Sequence, residues 1–124
     1  MAHNQLHQPH QLYIAGRWCD ARSGRMETVF NPATEAVLAE VAVGAAQDVD
    51  DAVAAAAAAQ AAWGKGTGAE RAACLRAIAS GVLEQQEQLA RLQTANNGKP
   101  LSESLIDIGD VVATFNYYAE LAEQ

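Results

Sequence analysis

Gly98-Lys99, within Asn96-Asn97-Gly98-Lys99-Pro100-Leu101-Ser102-Glu103, has the residue types of a phosphate-cradling loop. Such a loop needs a glycine five residues before Gly98 and a Ser or Thr directly after the lysine. Gln93 and Pro100 stand there instead. A plainer reading accounts for every residue. Asn97-Gly98 ends one helix through a left-handed backbone position. Pro100 begins the next, where its missing N–H costs nothing, and Lys99 is a charge at the corner. Gly64, Gly66 and Gly68 similarly suggest a dinucleotide fingerprint. That motif requires a preceding strand and a third glycine where Ala69 stands. A helix ends just before Gly64, so the segment reads as a connector between helices.

Asp107 and Asp110 lie three apart on one helix and share a face. Phe115, Tyr117 and Tyr118 follow within three turns. Two carboxylates attract a cationic group, and aromatic faces can cradle it. The competing reading is a solvated acidic face beside an aromatic core contact. Cys19 and Cys74 form no metal or redox spacing. Cys74 sits among alanines with no histidine nearby in sequence, so it reads as a small buried side chain rather than a nucleophile. His3, His7 and His10 could chelate a metal, but Pro9 and the lack of an apolar face favour a loose tail. No Ser/His/Asp set is present. Spacing alone therefore gives no active site.

The elements that must position these residues come in the order strands, then helices. Residues 1–11 are polar and read as a flexible tail. Strands fall within 12–43. Leu12-Tyr13-Ile14 turns at Ala15-Gly16 and returns through Arg17-Trp18, and 20–25 is a loop. Glu27-Thr28-Val29-Phe30 is closed by Asn31-Pro32, and Val37, Ala39, Val41 and Val43 mark the better-buried face of a further strand. The period then changes to helical over about 46–63, 69–97 and 100–124. Asp48, Asp50 and Asp51 suit the first turn of the first helix. Its alanine run favours helix, and Ala52, Ala56, Ala59 and Trp63 fall on one face. Leu75, Ile78, Val82, Leu89 and Leu92 mark the buried stripe of the second helix, interrupted at Gln85 and Gln86. The third carries a possible kink at Gly109.

At 124 residues the chain has room for one small domain. Its hydrophobic share is 50%, much of it alanine, so its own core is thin. A net charge of −7 disfavours a nucleic-acid partner. The amino terminus has neither the apolar run nor the cleavage site of a signal peptide. The longest apolar run, Ala52 to Ala59, is too short to span a bilayer. The cysteine usage gives a reduced, cytoplasmic setting as the expectation.

Leu12-Tyr13-Ile14-Ala15-Gly16-Arg17-Trp18, the long run from Phe30 through Trp63, "LARLQTANNGKPLSES" and "DIGDVVATFNYYAELAE" together resemble the amino-terminal part of an NAD(P)-dependent aldehyde dehydrogenase. The resemblance runs from about Leu12 to Gln124, with its motifs in the family's order. The last segment most resembles the betaine-aldehyde and aminoaldehyde branch.

The resemblance implies an α/β fold. Within it, residues 12–124 would be the amino-terminal part of the coenzyme-binding domain: short strands, then three helices that pack on a Rossmann-like core. It implies oxidation of an aldehyde to a carboxylic acid with NAD or NADP. In the family a cysteine thiolate attacks the aldehyde, a glutamate activates water, and an asparagine stabilises the oxyanion. All three, and the nucleotide-binding strands, belong to segments beyond the part resembled here. No catalytic or cofactor-binding residue is therefore expected in this chain, and alone it should be inactive. The full-length enzyme would be a homodimer or homotetramer acting on a small aldehyde, without nucleic-acid or membrane partners.

Two family features map onto residues present. Asp107 and Asp110 match acidic positions near the mouth of the substrate tunnel, where they would draw in an aldehyde bearing an amino or trimethylammonium group. Val29, Phe30 and Asn96 match positions that supply oxygens to a monovalent cation, with Asn96 standing where the family has an acidic residue. Against this fragment reading stands a second one: a stand-alone small helical protein that uses its alanine-rich and aromatic faces to bind a partner. The uncapped ending "YYAELAEQ" favours the first.

Overall fold

A computed structural model describes residues 10–124. The chain divides into two units, residues 1–62 and 63–124.

In the first unit, β1 (Leu12–Ile14) and β2 (Arg17–Cys19) form an antiparallel hairpin, with Leu12 opposite Cys19 and Ile14 opposite Arg17. Ala15 and Gly16 turn it with φ of 53° and 77°. Two positive φ values make the tight primed turn whose twist matches the strands. Gly16 takes this freely, whereas Ala15 carries a steric cost. Tyr13 and Trp18 pair edge-on across the hairpin, ring centroids 5.0 Å apart. A second antiparallel pair joins β3 (Met26–Phe30) to β4 (Val37–Ala42), with an irregularity between Val29 and Phe30. Asn31 closes this hairpin: its Oδ1 accepts from Ala33 N–H at 2.9 Å, and its carbonyl accepts from Glu35 N–H at 2.8 Å. Leu38 and Ala39 are both buried while Val37 is exposed, so β4 does not alternate as cleanly as its sequence does.

His10 departs from the loose tail expected over 1–11. Its N–H donates to Glu40 carbonyl at 2.9 Å, and its carbonyl accepts from Ala42 N–H at 2.8 Å. It thus runs parallel beside Val41 at the edge of β4. His3 and His7 lie outside the described residues. Among the described residues no cluster of His, Cys, Asp or Glu could hold a metal ion.

Helix α1 (Ala46–Trp63) begins where Asp48 folds back. The Asp48 carboxylate is buried and accepts from Ala45 N–H at 2.9 Å and from Arg22 N–H at 3.1 Å. These two backbone donors hold its carboxyl below the usual carboxylate range. One side chain therefore caps the helix and ties it to the loop after β2. The inward positions are Asp48, Ala52 and Ala55. Ala56, Ala59 and Trp63 are exposed, contrary to the face expected from the sequence.

The second unit holds α2 (Gly68–Glu84), α3 (Gln86–Asn97) and α4 (Leu101–Ala122). The single helix expected over 69–97 is two. Gln85, at φ −106° and ψ 12°, leaves helical geometry, and Gln86 Nε2 donates to Leu105 carbonyl at 3.3 Å. Among the described residues four helices replace the three expected, and α4 runs unbroken through Gly109. Pro100, at ψ 140°, lies just before the first turn of α4 rather than within it.

Helix α4 packs along α2 and α3. The side chains sealed at these crossings are small: Ala72, Ala79, Ala90, Ser104 and Ala119. Small residues let helix axes approach closely, and larger flanking chains then lie over the seam. Leu75, Val82 and Leu89 from the expected stripe are accordingly half-buried, while Ile78 and Leu92 are exposed. Gly68 marks the closest approach. A Cβ there would overlap the Ala122 carbonyl oxygen and come within 3.1 Å of its carbon. Arg76 makes a two-pronged pair with Glu123, at 2.8 and 2.6 Å, fixing the end of α4 to α2.

Candidate functional site

The site is built on the corner between α3 and α4. Gly98, at φ 77°, ends α3 by donating its N–H to Thr94 carbonyl at 2.9 Å. Asn97 Oδ1 accepts from Lys99 N–H at 2.9 Å, which shapes the turn into Pro100. Lys99 is thereby aimed back at the first turns of α4. Its ammonium pairs with Asp107 Oδ2, which also accepts from Gln93 Nε2 at 2.5 Å. Behind them Thr94 and Ser104 hydroxyls bond at 3.0 Å. The Lys99 and Gln93 hydrogen bonds hold the half-buried Asp107 carboxyl below the usual range, so it stays ionised.

Asp107 and Asp110 therefore differ. Asp107 is half-buried and its charge is met by Lys99. Asp110 is exposed and makes neither a hydrogen bond nor an ion pair among the described residues. Tyr117 lies seven residues from Asp110 and so on the same face. Tyr117 and Tyr118 are 57% and 56% exposed, with ring centroids 5.3 Å apart. Ile106, Val111 and Leu121 widen this outer face. A carboxylate on the same helical face as two open aromatic rings, about 10 Å along the axis from them, gives that face an affinity for cations bearing apolar substituents. Phe115 is half-buried. Lys99 and Gln93, as partners of Asp107, were missed from sequence. Opposite charges flanking a Gly-Lys-Pro turn were the signal available.

The other sequence candidates are placed as follows. Val29 is half-buried and Phe30 exposed beside the β3 irregularity, and Asn96 is exposed in the last turn of α3. Cys19 and Cys74 are free; Cys74 is exposed rather than the buried filler expected, because the neighbouring alanines take the seam. The Gly64–Gly68 connector does not fit a dinucleotide. Thr67 Oγ1 accepts from Glu70 N–H, and the Glu70 carboxylate reaches back to Thr67 N–H at 2.7 Å. The amino end of α2 thus already holds a carboxylate, and the Ala122 carbonyl closes over Gly68. A hollow of about 400 Å³ in the first unit is lined by Arg17, Cys19, Arg22 and Asp51 among others, but Arg22 and Asp51 there neutralise each other.

Two strand pairs followed by an alanine-rich helix and an acidic–aromatic helical corner define a mixed α/β segment. The sequence pattern of the aldehyde dehydrogenase family matches residues 18–124. The chain is 47% identical over 115 residues to aminoaldehyde dehydrogenase 2 of Solanum lycopersicum, covering 91% of this chain and 23% of that one. It is 43% identical over 117 residues to betaine aldehyde dehydrogenase 1 of Oryza sativa subsp. japonica, covering 90% and 23%. Betaine aldehyde dehydrogenase from Staphylococcus aureus, solved in complex with NAD+, superposes with a TM-score of 0.90 at 34% identity, over 93% of this chain and 23% of that one. This chain belongs to the aldehyde dehydrogenase family, and its fold is that of an amino-terminal fragment of the aldehyde dehydrogenase fold. It spans about a quarter of the length of the relatives it matches.

Proposed function

We propose that this chain is the amino-terminal segment of an NAD(P)-dependent aldehyde dehydrogenase subunit that oxidises a cationic aldehyde, of the betaine-aldehyde or aminoaldehyde type, to its carboxylic acid. The match over residues 18–124, with relatives bearing those names, is the observation that carries the reading. The attacking thiolate, the water-activating glutamate, the oxyanion donor and the coenzyme site come from other segments of the subunit. NAD is the favoured coenzyme, because a solved relative is complexed with NAD+. The exposed Ile78 and Leu92 mark faces on which those segments pack. The subunit assembles as a homodimer or homotetramer.

The role of this segment toward substrate is electrostatic. Asp110, unpaired among the described residues and two turns before Tyr117 on the same face, draws the cationic end of the aldehyde toward the tunnel, while Asp107, its charge met by Lys99, holds the corner in place. Free thiols at Cys19 and Cys74 suit the reducing cytoplasm, although relatives named peroxisomal and chloroplastic exist in Pisum sativum and Arabidopsis thaliana. No helix among the described residues is long and apolar enough to cross a membrane.

The test is Asp110→Asn in the full-length enzyme, with kcat/KM measured for a trimethylammonium aldehyde and a neutral aldehyde of similar size. A loss confined to the cationic substrate supports the role. Equal responses refute it.

A further inference from the structure

The geometry of the α3–α4 corner points to Asn97 as a site of spontaneous deamidation, a modification independent of the dehydrogenase reading. Three observations converge. Asn97 is exposed at the last position of α3. The next residue is Gly98, whose missing side chain leaves the peptide nitrogen between them open to approach. Asn97 itself still carries helical geometry, and Gly98, at φ 77°, turns the chain only beyond the attacking nitrogen, so attack requires the last helical residue to fray. Asn97 Oδ1 accepts from Lys99 N–H at 2.9 Å, so the side chain already folds over the Gly98 peptide rather than out into water. That bond also withdraws electron density from Cγ and stabilises an oxyanion forming on Oδ1.

The reaction uses groups of this chain and water. The Gly98 nitrogen loses its proton to solvent and attacks Asn97 Cγ. A C–N bond forms, the Cγ–NH2 bond breaks, and ammonia leaves with a proton from solvent. Water then opens the resulting succinimide at either carbonyl, giving aspartate or isoaspartate. One brake is present: Gly98 N–H donates to Thr94 carbonyl at 2.9 Å, and this bond must open first. Opening at a helix end is far cheaper than global unfolding. Asn96 lies one residue further inside the same turn and precedes a bulkier residue. Asn116 lies inside α4. Both are followed by a residue that carries a side chain, unlike Asn97.

The consequence falls on Lys99. A carboxylate two residues before it competes with Asp107 for the one ammonium, at a helix carboxyl end where negative charge is unfavourable. Isoaspartate adds a backbone methylene at the corner and removes the bonds Gly98 and Lys99 make there.

The test incubates the full chain at mildly alkaline pH and maps amide-to-acid conversion by peptide mass spectrometry. Isoaspartate is detected by enzymatic methyl labelling. Asn97 is expected to convert several-fold faster than Asn96 and Asn116 in the same sample, with isoaspartate among its products. Asn97→Gln is expected to remove conversion at the corner, because ring closure is then slower. Conversion at Asn97 no faster than at Asn116 overturns the proposal. So does conversion that is fast only when the chain is unfolded in urea, since the native corner then protects the residue.

Discussion

Substituting Gly68 by alanine separates helix propensity from packing, because the two predict opposite signs. Gly68 is the first residue of α2, and glycine inside a helix costs about 1 kcal/mol relative to alanine. Propensity alone makes Gly68→Ala stabilising by up to that amount. The structure reverses the sign. The new Cβ would overlap the Ala122 carbonyl oxygen and lie 3.1 Å from its carbon and 3.5 Å from the Glu123 Cα. All three are backbone atoms, so no side chain can rotate away. Relief requires α2 and the end of α4 to separate, which strains the Arg76–Glu123 pair and opens the seam sealed by Ala72 and Ala119. Forcing a methyl into a packed crossing costs about 1–3 kcal/mol, enough to cancel the propensity gain and leave a net loss. Gly81 and Gly109 are the controls, since a Cβ at either meets nothing within 4 Å. Gly81→Ala and Gly109→Ala are therefore expected to stabilise by about 0.5–1 kcal/mol each. Urea unfolding followed by helical circular dichroism reads all three. If Gly68→Ala raises the midpoint as Gly81→Ala does, the close approach of α2 and α4 is wrong.

Ala15→Asn should stabilise the first hairpin by about 1 kcal/mol, because asparagine tolerates the left-handed φ better than alanine; thermal unfolding checks it. Thr67→Ala removes the reciprocal cap of α2 and should cost about 1 kcal/mol in urea unfolding. Asp48, Glu70, Asp107 and Glu123 all have folded pKa values below their ordinary ones. Their contribution is fully present above the unfolded carboxylate values, about 4, and is lost as pH falls through the lower folded values. The urea midpoint should therefore drop on acidification, and Asp107→Asn should flatten that acid limb in the second unit.

How much of this was legible depended on where breakers stood. The ends of α1 and α3 were readable because Trp63 precedes a cluster of three glycines and Asn97-Gly98 is followed at once by Pro100, combinations that interior glycines such as Gly81 and Gly109 lack. The break at Gln85 carries neither glycine nor proline. It is set by how α3 meets α4, including the Gln86 bond to Leu105 carbonyl, and no local signal announces that. The buried stripe was misjudged for a related reason. Leucine and isoleucine spacing pointed to Ile78 and Leu92, yet the seam belongs to Ala72, Ala79, Ala90 and Ser104. In an alanine-rich chain the small residues mark closest approach. At the site, the Asp107–Asp110 pair followed from helical spacing. That Lys99 neutralises one member and leaves the other open required the turn geometry of the corner.

The central claim is that this chain is one segment of a dehydrogenase subunit, and the intact mass of the native protein in its source cells tests it most directly. The account predicts a mass above 13.1 kDa in the proportion that 23% coverage of the Solanum lycopersicum relative implies. A native mass of 13.1 kDa would contradict it, and the open faces of α2 and α4 would then belong to a small binding protein.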